Sequence, residues 1–201
     1  MSLRLYGAAR SRASRSLLAL EELGVPYEHV PLSNSADDRA ILAHLNPNRL
    51  IPVLEDGSLV LWESMAINLY LGDKYRGPLW PQTPEARAKL YQWSLWGQTE
   101  IDRRERHIAR LSGDPARAEA ASAERIAALC ILNAALERSL YLLGDAFTLA
   151  DVNVAATLSE PHEDGRVDGD LDPADHQMAA LADWLNRCCR RESWMRVRGM
   201  P

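Results

Sequence analysis

Apolar and polar positions divide the chain into two stretches with different rhythms. In the first, short strand-like runs alternate with segments of helical spacing. Leu3-Arg4-Leu5-Tyr6 alternates and stops at Gly7, which predicts a first strand. Leu17, Leu20 and Leu23 recur at helical spacing within residues 11–23, and Ala13 extends the stripe back one turn. Gly24 and Pro26 stand where a helix C-terminus places them. Residues 27–32 read as a second strand, and the polar stretch 33–38 leads into a short helix over 39–45. Ile51-Pro52-Val53-Leu54 and residues 58–62 are two further apolar runs joined by Glu55-Asp56-Gly57, a hairpin signal. Pro52 cannot donate to a ladder, so its strand is expected at a sheet edge or with a special backbone. A helix over 64–75 follows, with Met65, Ile67, Leu69 and Leu71 among its apolar residues. The order βαβαββα predicts a small α/β domain.

Beyond this point the rhythm is helical. Pro78, Pro81 and Pro84 punctuate a linker, which predicts an α/β domain over 1–78, a linker over 79–86 and an all-α helical domain over 87–201. Tyr91, Trp93, Leu95 and Trp96 populate a long first helix, and residues 100–106 continue it as a dense charge run expected on a solvated face. A second long helix is expected over 116–140. Thr148-Leu149-Ala150-Asp151 fits a capping box, flanked by Phe147 and Val152 as a hydrophobic staple. The last helix is expected over 178–190, with Leu181, Trp184, Leu185 and Cys188 on one face.

Composition narrows the function classes. A 201-residue chain that is 47% hydrophobic and 25% charged is ordinary for a soluble globular protein. A net charge of −5 invites neither nucleic acid nor an anionic membrane as a partner. The N-terminus runs straight into a strand without a signal-peptide core, and no apolar run reaches membrane-span length. Cys130, Cys188 and Cys189 make an odd count with no C-x-x-C, which points to reduced thiols and a cytoplasmic location. Asp168, Asp170 and Asp172 have the opening spacing of a calcium loop. Pro173 stands at the required glycine and Ala179 at the bidentate glutamate, so no metal is expected there. His162 and His176 lack a zinc spacing.

Asn46-Pro47, Ile51-Pro52-Val53-Leu54, Asp56-Gly57, Glu63-Ser64, Ala66-Ile67 and Tyr70-Leu71 together resemble the glutathione-binding half of the soluble glutathione transferases. Asn48 and Arg49 depart from the Gly and Lys frequent in that family, although Arg49 keeps the cation. The resemblance implies a thioredoxin-like N-terminal domain, an all-α helical bundle behind it, and a homodimer. It implies a cis Ile51-Pro52 bond that turns the Val53 backbone toward glutathione, which pairs as an added strand. Glu63 and Ser64 then hold the γ-glutamyl end, with Arg49 a candidate for the glycyl carboxylate. Taken singly, Ser64 reads as a helix N-cap and Glu63 as a first-turn acid.

Such an enzyme has to stabilise a thiolate. A thiol titrates near ~8.5 unaided, and lowering that by two units is worth roughly 2.7 kcal/mol. The loop Gly7-Ala8-Ala9-Arg10-Ser11-Arg12-Ala13-Ser14-Arg15 resembles the serine-type, theta-like and bacterial classes, in which a serine stands four residues before an arginine. Ser11 is the expected activating hydroxyl and Ser14 its competitor; an N-cap is the plain alternative for Ser11. Arg10 and Arg12 flank Ser11 as candidate charges beside the thiol, and Tyr6 is expected in the core or pocket wall. The expected function is conjugation of glutathione to a small, largely apolar electrophile. Glutathione-dependent isomerisation or dehalogenation at the same site, and a non-catalytic binding protein, are the alternatives.

Overall fold

The computed structural model describes residues 3–32, 35–102, 112–159 and 177–200. Four strands, β1 (Leu3–Tyr6), β2 (Tyr27–Val30), β3 (Val53–Asp56) and β4 (Leu59–Trp62), form one sheet in the order β2-β1-β3-β4. The β1–β2 pair is parallel, with Leu3 opposite Tyr27; β3 runs antiparallel to both neighbours, placing Leu54 between Leu5 and Leu61. The strand after Pro52 is therefore central, which removes the edge alternative. Pro52 precedes the first paired residue and its peptide bond is cis, so the special-backbone alternative holds. Glu55 and Asp56 belong to β3, and the turn is Gly57-Ser58, with Gly57 at φ 64°.

The helices of this half are α1 (Ala13–Leu23), α2 (Ala36–Leu45) and α3 (Ser64–Tyr75). Helix α1 starts two residues later than its apolar spacing predicts, because Ser11 and Arg12 are spent in the turn before it. Helix α2 starts three residues earlier, because the Ser35 hydroxyl accepts the Asp38 N–H at 3.1 Å and two aspartates favour the first turn. Every residue from Ala13 to Leu20 is buried, since α1 packs on α3 on one side and on the helical half on the other.

The helical half begins at α4 (Pro84–Trp96), with Pro84 at its first position and the Thr83 hydroxyl accepting the Ala86 N–H. One π-helical turn, Gly97–Ile101, extends it, closed by the Asp102 N–H on the Gly97 carbonyl at 3.1 Å. Helix α5 (Pro115–Leu136) is capped by Asp114 and stops four residues short of its predicted end. Helix α6 (Leu149–Leu158) is buried along its whole length, and Thr148 and Asp151 form the expected capping box. Phe147 lies edge-on to Tyr141 and Trp194. After α7 (Ala179–Cys189) the chain makes one more helix, α8 (Glu192–Arg198), which the sequence reading lacked. The break between them is held by Arg191, whose guanidinium donates to both oxygens of Glu22 in α1 at 2.6 and 2.8 Å.

One core runs through both halves, joining Leu5, Leu54, Ile67 and Leu71 to Leu149, Val152, Leu181 and Trp184. Each such side chain contributes on the order of 1.5–3 kcal/mol when fully removed from water. Cys188 lies in this core, and burial pushes its thiol far above the ordinary range. Among the described residues, no helix is long and apolar enough to cross a membrane, and no group of three His, Cys, Asp or Glu is placed to hold a metal ion. The aspartates and histidines of segment 160–176 lie outside the described residues.

Candidate active site

The turn between β1 and α1 is shaped by Gly7, which stands at φ 140°. A Cβ on Gly7 would lie 2.7 Å from the Cβ of Ala13 and 3.1 Å from that of Ile51. Only glycine lets the start of α1 and the segment before β3 approach so closely. The two stretches singled out by the sequence, the Ser11 loop and residues 46–64, are thereby packed on each other. Gly7 is held on the far side too: its N–H donates to the Val30 carbonyl at 3.0 Å, and His29 Nε2 lies 2.8 Å from its carbonyl.

In the second stretch, Asn46 organises the loop. Its side chain donates to the Leu50 carbonyl at 2.7 Å and accepts the Asn48 N–H at 2.9 Å, while its carbonyl accepts from Arg49. Arg49 consequently sits at φ 55°, exposed, with no ion pair to any described residue. Ile51 is half-buried and Pro52 and Val53 are buried, with Val53 opposite Tyr6 on one side and Trp62 on the other. Glu63 is exposed at φ 74° and ψ 113°, and Ser64 is buried as the first residue of α3. That backbone conformation is costly for a residue with a side chain, and it sits where the resemblance expects ligand recognition.

The Ser11 hydroxyl donates to the Ala8 carbonyl at 2.7 Å and accepts the Ala13 N–H at 3.1 Å, so it serves as a cap for α1 and remains half-buried. Ser14 is almost fully buried, and among the described residues its hydroxyl has no hydrogen-bond partner. Tyr6 is buried and its phenol donates to Glu55 at 2.5 Å; burial, with Glu55 beside it, pushes the phenol's pKa upward. It is a core residue, packed with Leu32, Leu42 and Val53, and its proton is committed.

The sequence reading missed a polar chain that ties this turn to the helical half. Arg15 is fully buried, with its guanidinium 2.9 Å from Asp102 and 3.0 Å from the Gln98 side-chain carbonyl. Arg12 reaches the same Asp102 carboxylate at 2.9 Å. Asp102 was expected on a solvated face; it instead faces α1 with 19% of its side chain exposed. The rest of that charge run, from 103 on, lies outside the described residues. Deeper in, Asn68 donates to the Arg15 carbonyl at 3.2 Å and to Asn153 at 2.8 Å, and Asn153 donates to Ser94. A hint in the sequence is Asn68 itself, a polar residue between Ile67 and Leu69 one turn beyond Ser64.

The N-terminal domain profile of the glutathione S-transferases matches residues 1–73, and their C-terminal domain profile matches residues 105–192. The chain belongs to the glutathione S-transferase family. Glutathione S-transferase GstB of Escherichia coli (strain K12) is 33% identical over 170 residues, 75% of this chain and 79% of that protein. Glutathione S-transferase 3 of Zea mays is 38% identical over 173 residues, covering 76% and 75%. Among solved structures, a theta class glutathione S-transferase from Xanthomonas axonopodis pv. citri with glutathione bound has a TM-score of 0.75. It shares 27% identity and covers 100% of this chain and 98% of that one. The family identity agrees with the fold read from the sequence, a thioredoxin-like domain followed by a glutathione transferase helical domain.

Proposed function

We propose that this glutathione S-transferase binds glutathione between residues 46–64 and the turn 8–12, and transfers its thiolate to a small, largely apolar electrophile. The observation that carries this reading is the close packing of Gly7 on Ile51, which brings the turn that contains Ser11 against the segment that ends in Glu63 and Ser64. Glutathione pairs with the Val53 backbone, its γ-glutamyl carboxylate meets Ser64 and the α3 N-terminus, and Arg49 receives the glycyl carboxylate.

Ser11 is the activating residue, as in the serine-type, theta-like enzymes. Its hydroxyl exchanges the Ala8 carbonyl for the glutathione sulfur and donates to the thiolate. A hydrogen bond to a charged acceptor is worth about 1.5–3 kcal/mol, which covers the roughly 2.7 kcal/mol that two pKa units require. The sulfur then attacks the electrophilic carbon; a C–S bond forms, and the displaced electron pair leaves with the leaving group or, at an activated double bond, moves out of the broken π bond onto its electron-withdrawing group, which then takes a proton from water. The working halves join through residues 76–83, between the end of α3 and the start of α4. A homodimer is favoured by Leu59, Val60 and Trp62 on the outer strand and by Tyr91 and Leu95 on α4, all exposed apolar side chains. Three cysteines with no disulfide among them, Cys130 exposed and Cys188 buried, suit the cytoplasm.

The test is the ultraviolet absorbance of the thiolate of bound glutathione. Wild type is expected to show it at neutral pH and Ser11→Ala to lose it, with kcat falling about 10- to 150-fold. Absence of thiolate in wild type would end the transferase reading. Loss in Ser14→Ala with retention in Ser11→Ala would move the activating role to Ser14.

A further inference from the structure

Arg12 and Arg15, at the start of α1, share a counter-ion that comes from the other half of the molecule. Arg12 and Arg15 both contact Asp102, with Arg12 reaching each of its oxygens, at 3.1 and 2.9 Å. The Gln98 side chain bonds Arg15 at one end and Asp102 at the other, at 3.0 and 3.3 Å, which fixes the carboxylate between the two guanidiniums. Asp102 immediately follows the π-helical turn, the feature that ends α4. Helix α1 has no acidic residue in its own first turn and its N-cap, Arg12, supplies no side-chain cap. Among the described residues, the acid that meets this positive end is the borrowed Asp102, not one in the first turn of α1.

The two arginines differ in environment. Arg15 is fully buried, while the Arg12 side chain is 44% exposed and next to Ser11 in sequence. A positive charge near a thiol lowers its pKa, and a negative one raises it. We propose that Arg12 and Asp102 act as an opposed pair that sets the pKa of bound glutathione. Arg12 drives ionisation from the side of Ser11, and Asp102, held out by the helical half, restrains it. Both are positioning residues in this role; Ser11 alone touches the sulfur. The inference rests on the reading of Ser11 as the activating hydroxyl.

Among the described residues, the charged groups on the elements that meet here include Arg10 on the turn itself, His29 and Glu55 on the neighbouring strands, Glu100 on the π turn, Glu124 and Arg125 on α5, which packs against that turn, and Arg49 and Glu63 on the glutathione-holding side. They stay constant in the variants below, so differences between variants isolate the pair.

The experiment is a pH titration of the thiolate absorbance of bound glutathione in wild type, Arg12→Gln, Arg12→Lys and Asp102→Asn. Arg12→Gln is expected to raise the thiol pKa by up to about one unit and Asp102→Asn to lower it. Arg12→Lys restores the charge and returns the value toward wild type. The Arg12 effect shrinks in high salt, because that side chain is half in water. A purely structural ion pair predicts the opposite pattern: breaking it from either end moves the pKa the same way, or not at all, and that result overturns the proposal. If Asp102→Asn fails to fold around the buried Arg15, the Gln and Lys variants at position 12 decide alone. Equal pKa values in those two overturn it. A wild type that binds glutathione without any thiolate titration is a distinct failure, that of Ser11 activation, and removes this inference with it.

Discussion

The indole N–H of Trp184, in α7, donates to Asp151, in the first turn of α6, across 2.9 Å. The same carboxylate oxygen accepts the Leu142 N–H at 2.9 Å, and the other accepts both the N–H and the hydroxyl of Thr148. Asp151 is thus more than a helix cap: four donors from three segments converge on a residue with no exposed surface. Asp151→Ala leaves these donors buried without an acceptor, each costing about 1–3 kcal/mol. The expected loss of unfolding free energy is at least about 3 kcal/mol, read by denaturant titration. Thr148→Ala, which keeps the carboxylate and the backbone donor, is expected to cost only about 1 kcal/mol.

Gly72, on the buried face of α3, has Trp80 and Leu149 pressed against it. A Cβ there would meet the Trp80 ring at 2.4 Å and a Leu149 methyl at 2.7 Å. The Leu149 N–H also bonds the Leu79 carbonyl at 3.0 Å, so neither neighbour recedes without dragging the linker. Alanine gains about 1 kcal/mol in helix propensity over glycine. Overpacking costs about 1–3 kcal/mol, so Gly72→Ala is expected to lower the thermal midpoint despite the better helix former.

Glu63 holds φ 74° with a side chain attached, a conformation costing of order 1–3 kcal/mol. Glu63→Gly and Glu63→Ala both remove the carboxylate, but only glycine relieves the backbone. The glycine variant is expected to be more stable than the alanine variant by about 1 kcal/mol, with glutathione affinity reduced in both. Paired unfolding curves and calorimetric binding separate the two effects.

At the far end of the hairpin, Asp56 accepts from Lys74 and, at 2.5 Å, from the Tyr70 hydroxyl. Those two hydrogen bonds, Lys74 first, hold its pKa below the ordinary carboxylate value. A depressed folded-state pKa contributes stability that is present above the unfolded value and lost as pH falls through the folded one. The stability gap between wild type and Asp56→Asn is therefore expected to be full at neutral pH and to close below about pH 4. Denaturant titrations of both proteins from pH 7 down to pH 3 measure it.

Strands, hinges and caps were legible because each has a local cause. The turn at Gly57, Gly24 at the end of α1, and Thr148 with Asp151 all act within a few residues of themselves. The Ser11 loop and the 46–64 stretch were legible as chemistry. Their contact was not, because it depends on the missing side chain of Gly7 facing Ile51, 44 positions away in sequence. Asp102 was misplaced for a related reason. In a run of charges nothing local marks which one meets Arg12 and the fully buried Arg15, and the spacing of Ser11 to Arg15 does not say which acid that guanidinium meets. Helix α8 escaped because its seven residues are too short for a periodic signal, and it is fastened through Arg191 to Glu22.

Eight successive residues of α1, Ala13 to Leu20, touch protein on every side. A helix enclosed in this way has no free face on which to accumulate change, and no direction in which to slide. Ser11 stands at the mouth of that enclosure, where the first side chains to reach water are those of Arg10 and Arg12. The scaffold thus separates what is held fixed from what is adjustable. The rod is fixed, and variation in reactivity is confined to the few residues at its tip and to the surface that faces them.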